Sequence, residues 1–175
     1  MSKHLIVSCL MGCMVASASL AMAHEEMGQE LEFKLHSLND SGVEGEVELK
    51  LRGHTLYVEL EVSGLEIGKP HPQHIHGHEN QSVPASCPSI DADANGDGLV
   101  SVAEGLPNYG PIILPLTPFN LVDAGGELNY RASFEIEVDK LQPLNKRAIV
   151  VHGMTVGSVY IPSLPVACGV VELDD

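Results

Sequence analysis

Hydrophobic and polar residues alternate with period two along much of the chain. Leu31 to Leu38 reads L-E-F-K-L-H-S-L, and Val43 to Leu51 reads V-E-G-E-V-E-L-K-L. After an Arg52-Gly53 turn the alternation resumes from Thr55 to Val62, and it returns from Tyr130 to Val138. Each run predicts a strand with one face in a core and the other in water. Arg147 to Val151 and Val166 to Leu173 are shorter and more apolar, as central strands are. Between Val83 and Pro118 the periodicity dissolves into Pro, Gly, Asp and Asn, which predicts a long ordered loop or insertion rather than a strand pair. With 17 Gly, 11 Pro and few long helix-periodic runs, a helical bundle is disfavoured. The pattern predicts an all-β sandwich or barrel with one elaborate loop.

Residues 1–23 have the organisation of an export signal. Lys3 and His4 precede an apolar run from Leu5 to Val15, and Ala21-Met22-Ala23 forms an A-x-A cleavage site. The run is too short to span a bilayer, no later segment qualifies, and a transmembrane segment is not expected. Residues 24–175 then form one exported β domain, periplasmic or secreted. A second reading takes Leu10-Met11-Gly12-Cys13 as a lipoprotein processing site, with Cys13 lipid-anchored. Signal cleavage leaves Cys87 and Cys168, and in an oxidising compartment two cysteines are expected to pair. That disulfide would close a loop of about 80 residues and stabilise by about 4 kcal/mol; two free buried thiols are the alternative. The 24 Asp and Glu against 9 Lys and Arg give a formal charge of −15, which disfavours nucleic acid and anionic membranes as partners.

Metal chemistry enters with the histidines. His71-Pro-Gln-His74-Ile-His76-Gly-His78 gathers four of the nine histidines. On a strand, positions 74, 76 and 78 share a face, and imidazole suits copper or zinc better than calcium or magnesium. His152 ends the apolar run Arg147 to Val151, where a buried imidazole needs a partner; it is the expected third ligand.

These residues carry a resemblance. The run H-x-x-H-I-H over 71–76, Cys87 eleven residues on, A-I-V-V-H-G around His152 and V-A-C-G-V-V around Cys168 together resemble the copper/zinc superoxide dismutase family in order and in internal spacing. The resemblance implies a Greek-key β-barrel, a Cys87–Cys168 disulfide, and His74, His76 and His152 as copper ligands. It also implies that His71 is a buried histidine that supports the barrel without binding metal. The short H-I-H strand is also similar to chordin-type (CHRD) domains. The departures are as informative. No histidine lies between Cys87 and His152, so the family's bridging and zinc histidines have no counterpart. Pro165 stands where the family has an arginine, three residues before the last cysteine. The resemblance therefore implies a copper site without the bridge that takes up a proton in each dismutase cycle. Two further residues are candidates to complete it: His78, on the same strand face, and His24, which cleavage makes the N-terminus, with amine and imidazole both available. His36 and His54 are expected at the surface.

The long insertion holds a second motif. From Asp93 to Glu104 the chain reads D-A-N-G-D-G-L-V-S-V-A-E, which fills every position of a twelve-residue EF-hand calcium loop. Asp93, Asn95, Asp97, the Leu99 carbonyl, Ser101 and Glu104 are the expected calcium ligands. Gly98 takes the sharp turn and Val100 anchors the loop to the core. A frame starting at Asp91 fails because its twelfth residue is Val102. Pro84 and Pro88 before the loop, and Gly105-Leu-Pro107 after it, are expected to leave neither flanking helix room. The plainer alternative is an Asp/Asn/Gly turn cluster.

Three functions are compatible with these features. One is an exported protein of superoxide dismutase-like fold that binds copper and calcium and works in copper handling or binding. Another is a copper-only superoxide dismutase. The third is a calcium-stiffened interaction module without copper. No hydrolase triad and no glycine-rich phosphate loop stands out.

Overall fold

A computed structural model describes residues 28–171; the expected export signal over 1–23, with Cys13, and His24 lie outside the described residues. Eight strands run β1 Gln29–Ser37, β2 Glu44–Arg52, β3 Thr55–Ser63, β4 Gln73–His76, β5 Ile112–Pro115, β6 Leu128–Glu135, β7 Ala148–Val156 and β8 Val159–Val170. They form an antiparallel sheet in the order β5-β4-β7-β8-β1-β2-β3-β6. β1 joins its two halves: Gln29 to Leu35 pair with β2, while His36 and Ser37 pair with Ala167 and Cys168 of β8. The sheet curls on itself around this join, as expected for a Greek-key barrel.

Alternation in the sequence becomes the two faces of the sheet. Val47, Leu49 and Leu51 of β2 and Leu56, Val58, Leu60 and Val62 of β3 are buried, and the glutamates between them face outward. Burying each such side chain stabilises by about 1.5–3 kcal/mol before entropic costs. β7 is buried on both sides from Ala148 to His152. Ile149 and Val151 enter the main core, whereas Ala148 and Val150 pack with Leu38, Ala85, Tyr109 and Cys168 under the insertion. A disulfide joins Cys87 to Cys168 with the Cα atoms 5.7 Å apart, so the insertion is fastened to β8 near its start.

The structure differs from the sequence reading in four respects. The strand from Tyr130 stops at Glu135, and Val138–Leu141 form a single helical turn, α2. β7 and β8 extend past their apolar stretches to a two-residue turn, Gly157-Ser158, with Gly157 at φ +62°. β5 is a strand inside the supposed loop, pairing with β4. It is four residues long, preceded by Pro111 and ending in Pro115, which only an edge strand tolerates.

The fourth difference is a helix where none was expected: α1, Val102–Tyr109. Ser101 caps it, with the reciprocal bonds of a capping box to Glu104. Pro107 comes after the first turn, so its missing N–H forfeits one interior bond instead of preventing nucleation. Gly110, at φ +77°, ends the helix, and its N–H bonds the Leu106 carbonyl.

Candidate metal centre

His74 and His76 project from one face of β4, and β7 lies beside it with His74 opposite Val150 and Gln73 opposite Val151. His152 is the next residue of β7, its N–H donating to the Pro72 carbonyl at 2.8 Å. The β7–β8 register shifts on both sides of His152, and such a bulge re-aims a side chain. Gly153, at φ +110°, permits it; a Cβ there would strike the Tyr160 hydroxyl and approach the His71 ring.

The three rings converge. Centroid separations are 5.8 Å for His74 and His76, 5.1 Å for His74 and His152, and 5.9 Å for His76 and His152. One nitrogen from each lies within 4.8 Å of the other two. His74 Nδ1, His76 Nε2 and His152 Nε2 are buried and have no hydrogen-bond partner. The other nitrogens of two rings are occupied: His76 Nδ1–H donates to Gly110 O and His152 Nδ1–H to Ser163 O, each at 2.8 Å. A neutral ring that donates from Nδ1 presents a lone pair at Nε2. Burial lowers the pKa of His152 to about 3 and that of His74 to about 4, and it lowers that of His76 against the opposing bond from Gly110. All three are therefore neutral at pH 7, the state a metal ligand needs. Each buried acceptor without a partner costs about 1–3 kcal/mol, a cost that an ion accepting all three lone pairs would remove. The donor set, three imidazoles and no carboxylate, fits copper or zinc.

The surroundings are apolar. Phe119 meets His74 edge-on at 5.5 Å, and Tyr109 meets His76 at 4.7 Å. Ile112 is paired with His76 across β4 and β5, and Pro165 with His152 across β7 and β8. His71 is buried beneath the site, its Nδ1 against the His152 carbonyl and its Nε2 against the Glu66 carbonyl, both at 3.1 Å. His78 does not join the three. β4 ends at His76, and His78 Nε2 lies 3.1 Å from the Asn108 carbonyl. His36 and His54 are exposed.

Sequence reasoning missed the groups that hold these rings. Gly110 and Ser163 act through backbone carbonyls, which leave no residue signature. Arg147, read as the first residue of a strand, is 2% exposed. Its guanidinium donates to Leu141, Lys140 and Gln142 carbonyls at 2.7, 3.1 and 2.8 Å, pinning α2 to the base of β7.

The loop from Asp93 to Glu104 satisfies its own oxygens. Asp93 accepts from the N–H groups of Gly96 and Gly98, both at 2.8 Å. Asn95 accepts from Asp97 N–H and Asp97 from Leu99 N–H, at 2.8 and 2.9 Å. Glu104 reaches back to Ala94 and Asn95 N–H with one oxygen and holds Ser101 with the other. The Ser101 bonds, first its hydroxyl's, lower the Glu104 pKa. The carboxylates of this loop do not converge as the histidines do. Among the described residues the other such group is Glu30, Glu32 and Glu48, on the outer face, where Lys50 pairs with Glu30 at 3.2 Å and with Glu48.

Among the described residues no helix is long and apolar enough to cross a membrane. No protein-family model and no curated protein matches this sequence. Solved structures do. A superoxide dismutase-like protein from Bacillus subtilis is 14% identical with a TM-score of 0.51, the alignment covering 82% of this chain and all of that one (100%). The Cu/Zn superoxide dismutase of Brucella abortus is 17% identical with a TM-score of 0.49, over 82% of this chain and 100% of that one. The described residues thus adopt the Greek-key β-barrel of superoxide dismutase-like proteins.

Proposed function

We propose that this is an exported metal-binding protein that holds copper through His74 Nδ1, His76 Nε2 and His152 Nε2 and works in copper handling or binding. The observation that carries the reading is the convergence of three rings, one nitrogen of each within 4.8 Å of the other two, each ring also holding a buried nitrogen without a hydrogen-bond partner. Copper is preferred to zinc because imidazole sites bind divalent copper more tightly than any other first-row divalent ion. Export is supported by the Cys87–Cys168 disulfide, a bond of oxidising compartments. A structural calcium would sit in the loop with Asp93, Asn95, Asp97, the Leu99 carbonyl, Ser101 and Glu104 as ligands, replacing the loop's internal hydrogen bonds as its source of order.

Binding is favoured over superoxide turnover. No histidine between Cys87 and His152 stands ready as a bridge, and Ile112 and Pro165, the register partners of His76 and His152, carry neither proton nor charge. A formal charge of −15 repels an anionic substrate. Elemental analysis of protein exported to a periplasm and purified without chelators tests the reading, on wild type and His152→Ala. One equivalent of copper, lost in the variant, is the expected result; calcium without copper would overturn it and leave the calcium-stiffened module.

A further inference from the structure

We infer that Asn39 is a positioning residue for the three-histidine centre: its side-chain amide registers the 93–110 segment against β8, and through that segment sets the ring of His76. The inference rests on the metal-binding reading above, which assigns His76 its role.

Asn39 lies in the turn after β1, at φ +56°. Its Oδ1 accepts from Val100 N–H at 2.6 Å, and its Nδ2 donates to the Val100 carbonyl at 3.0 Å. A carboxamide carries the same donor and acceptor as a peptide group, so this side chain pairs with Val100 as a neighbouring strand would. Its second N–H donates to the Pro165 carbonyl at 2.9 Å. One residue therefore ties the segment leading into α1 to β8. Pro165 is the register partner of His152. Val100 is 2% exposed and immediately precedes Ser101, the cap of α1.

From Ser101 the connection to His76 is short and stiff. The capping box starts α1, and the Tyr109 hydroxyl donates back to the Val102 carbonyl at 3.0 Å, tying the last turn to the first. Tyr109 is fully buried with its ring against His76. The next residue, Gly110, supplies the carbonyl that holds His76 Nδ1–H at 2.8 Å. Backbone contact is close here, since a Cβ on Gly110 would lie 2.5 Å from the Gly77 carbonyl oxygen. Small displacements of α1 are thus passed to the ring. Left-handed backbone alone does not explain an asparagine at position 39. Glycine and aspartate also adopt it, and neither can both donate to and accept from Val100.

Two measurements on Asn39→Gly, which keeps the backbone conformation and removes the amide, test this. In apoprotein labelled with 15N-histidine, wild-type His76 should be a single Nδ1–H tautomer. In the variant it should average between tautomers. Cu(II) titration should show binding about tenfold weaker, the size expected when the group orienting a ligand is lost, with an altered Cu(II) EPR spectrum. Asn39→Asp, which keeps only the acceptor, should fall between. Leu49→Ala, a core truncation away from the insertion, should lower the melting midpoint and leave tautomer and spectrum unchanged. Wild-type tautomer, spectrum and affinity in Asn39→Gly would overturn the inference. Should that variant not fold, Tyr109→Phe, which releases the bond to Val102, is judged by the same readouts. A wild-type protein that binds no Cu(II) would defeat the metal reading, while the apoprotein tautomer would still decide the role of Asn39.

Discussion

His152 stands directly opposite Pro165 in the β7–β8 ladder, and its Nδ1–H is held by the carbonyl of Ser163, two residues earlier on the same strand. A backbone carbonyl thus fixes one ring nitrogen, the other is buried without a partner, and the ring packs beside those of His74 and His76. His152→Ala is expected to raise the Cu(II) dissociation constant at least 100-fold. The apoprotein should change stability by less than about 2 kcal/mol, because the substitution also removes an unpartnered buried nitrogen. Competition titration and urea unfolding of the same samples check the two halves.

The depressed histidine pKa values make the apoprotein acid-sensitive. His152 titrates near 3 when folded, against an ordinary value of 6.5, so between those limits the unfolded chain binds the extra proton. Stability is therefore full above pH 6.5 and falls as pH drops, by about 1.4 kcal/mol per pH unit for this group. His74 acts in the same direction, less strongly because it is half-buried and solvent screens it. Urea midpoints at pH 7 and pH 5 should diverge in the wild-type apoprotein and diverge less in the His74→Ala/His152→Ala double variant, where His76 alone of the three remains. Equal slopes in the two proteins would contradict this.

Arg147 is a buried cation satisfied by carbonyls. Arg147→Ala should destabilise by about 3 kcal/mol, since charge-assisted bonds are lost and their acceptors are stranded. Arg147→Lys should recover little, because an ammonium cannot reproduce the planar fork. Chemical denaturation of both variants distinguishes shape from charge.

Opening the disulfide should act on the insertion as well as on global stability. Cys87→Ser with Cys168→Ala is expected to cost about 2–4 kcal/mol and to expose 88–110 to limited proteolysis before the strands are cut. Cleavage spread evenly over the chain would show that the bond does not hold that segment.

For the loop, Glu104→Gln separates two roles. Glutamine still serves a capping box but gives up the charged bidentate ligand of a calcium site. Calcium affinity measured by calorimetry should fall at least tenfold while helix content stays the same. A wild-type protein with no calcium uptake at millimolar concentration would make the loop a turn cluster only.

Much of the architecture was legible beforehand. Period-two alternation located β1, β2 and β3 to within one or two residues, because a half-buried strand imposes its pattern residue by residue. The apolar runs at Arg147 to Val151 and from Val166 marked central strands, and β7 and β8 lie inside the sheet with neighbours on both edges. α1 was missed because Gly105 and Pro107 weigh against helix, whereas the Ser101–Glu104 capping box and the burial of Tyr109 outweigh them. β5 was missed because four residues among prolines become a strand only when β4 offers an edge.

The sequence by itself determined what depends on neighbours along the chain: the alternating strands β1, β2 and β3, the His74–His76 pair on one face, and the spacing of oxygen-bearing residues from Asp93 to Glu104. Tertiary structure decided what depends on backbone groups distant in sequence. It set His152 beside that pair, aimed two of the rings through the carbonyls of Gly110 and Ser163, turned His78 toward Asn108, and placed Asn39 between Val100 and Pro165. Side-chain periodicity is written in residue types. A carbonyl is common to every residue, so its role is visible only once the fold has brought it to a partner.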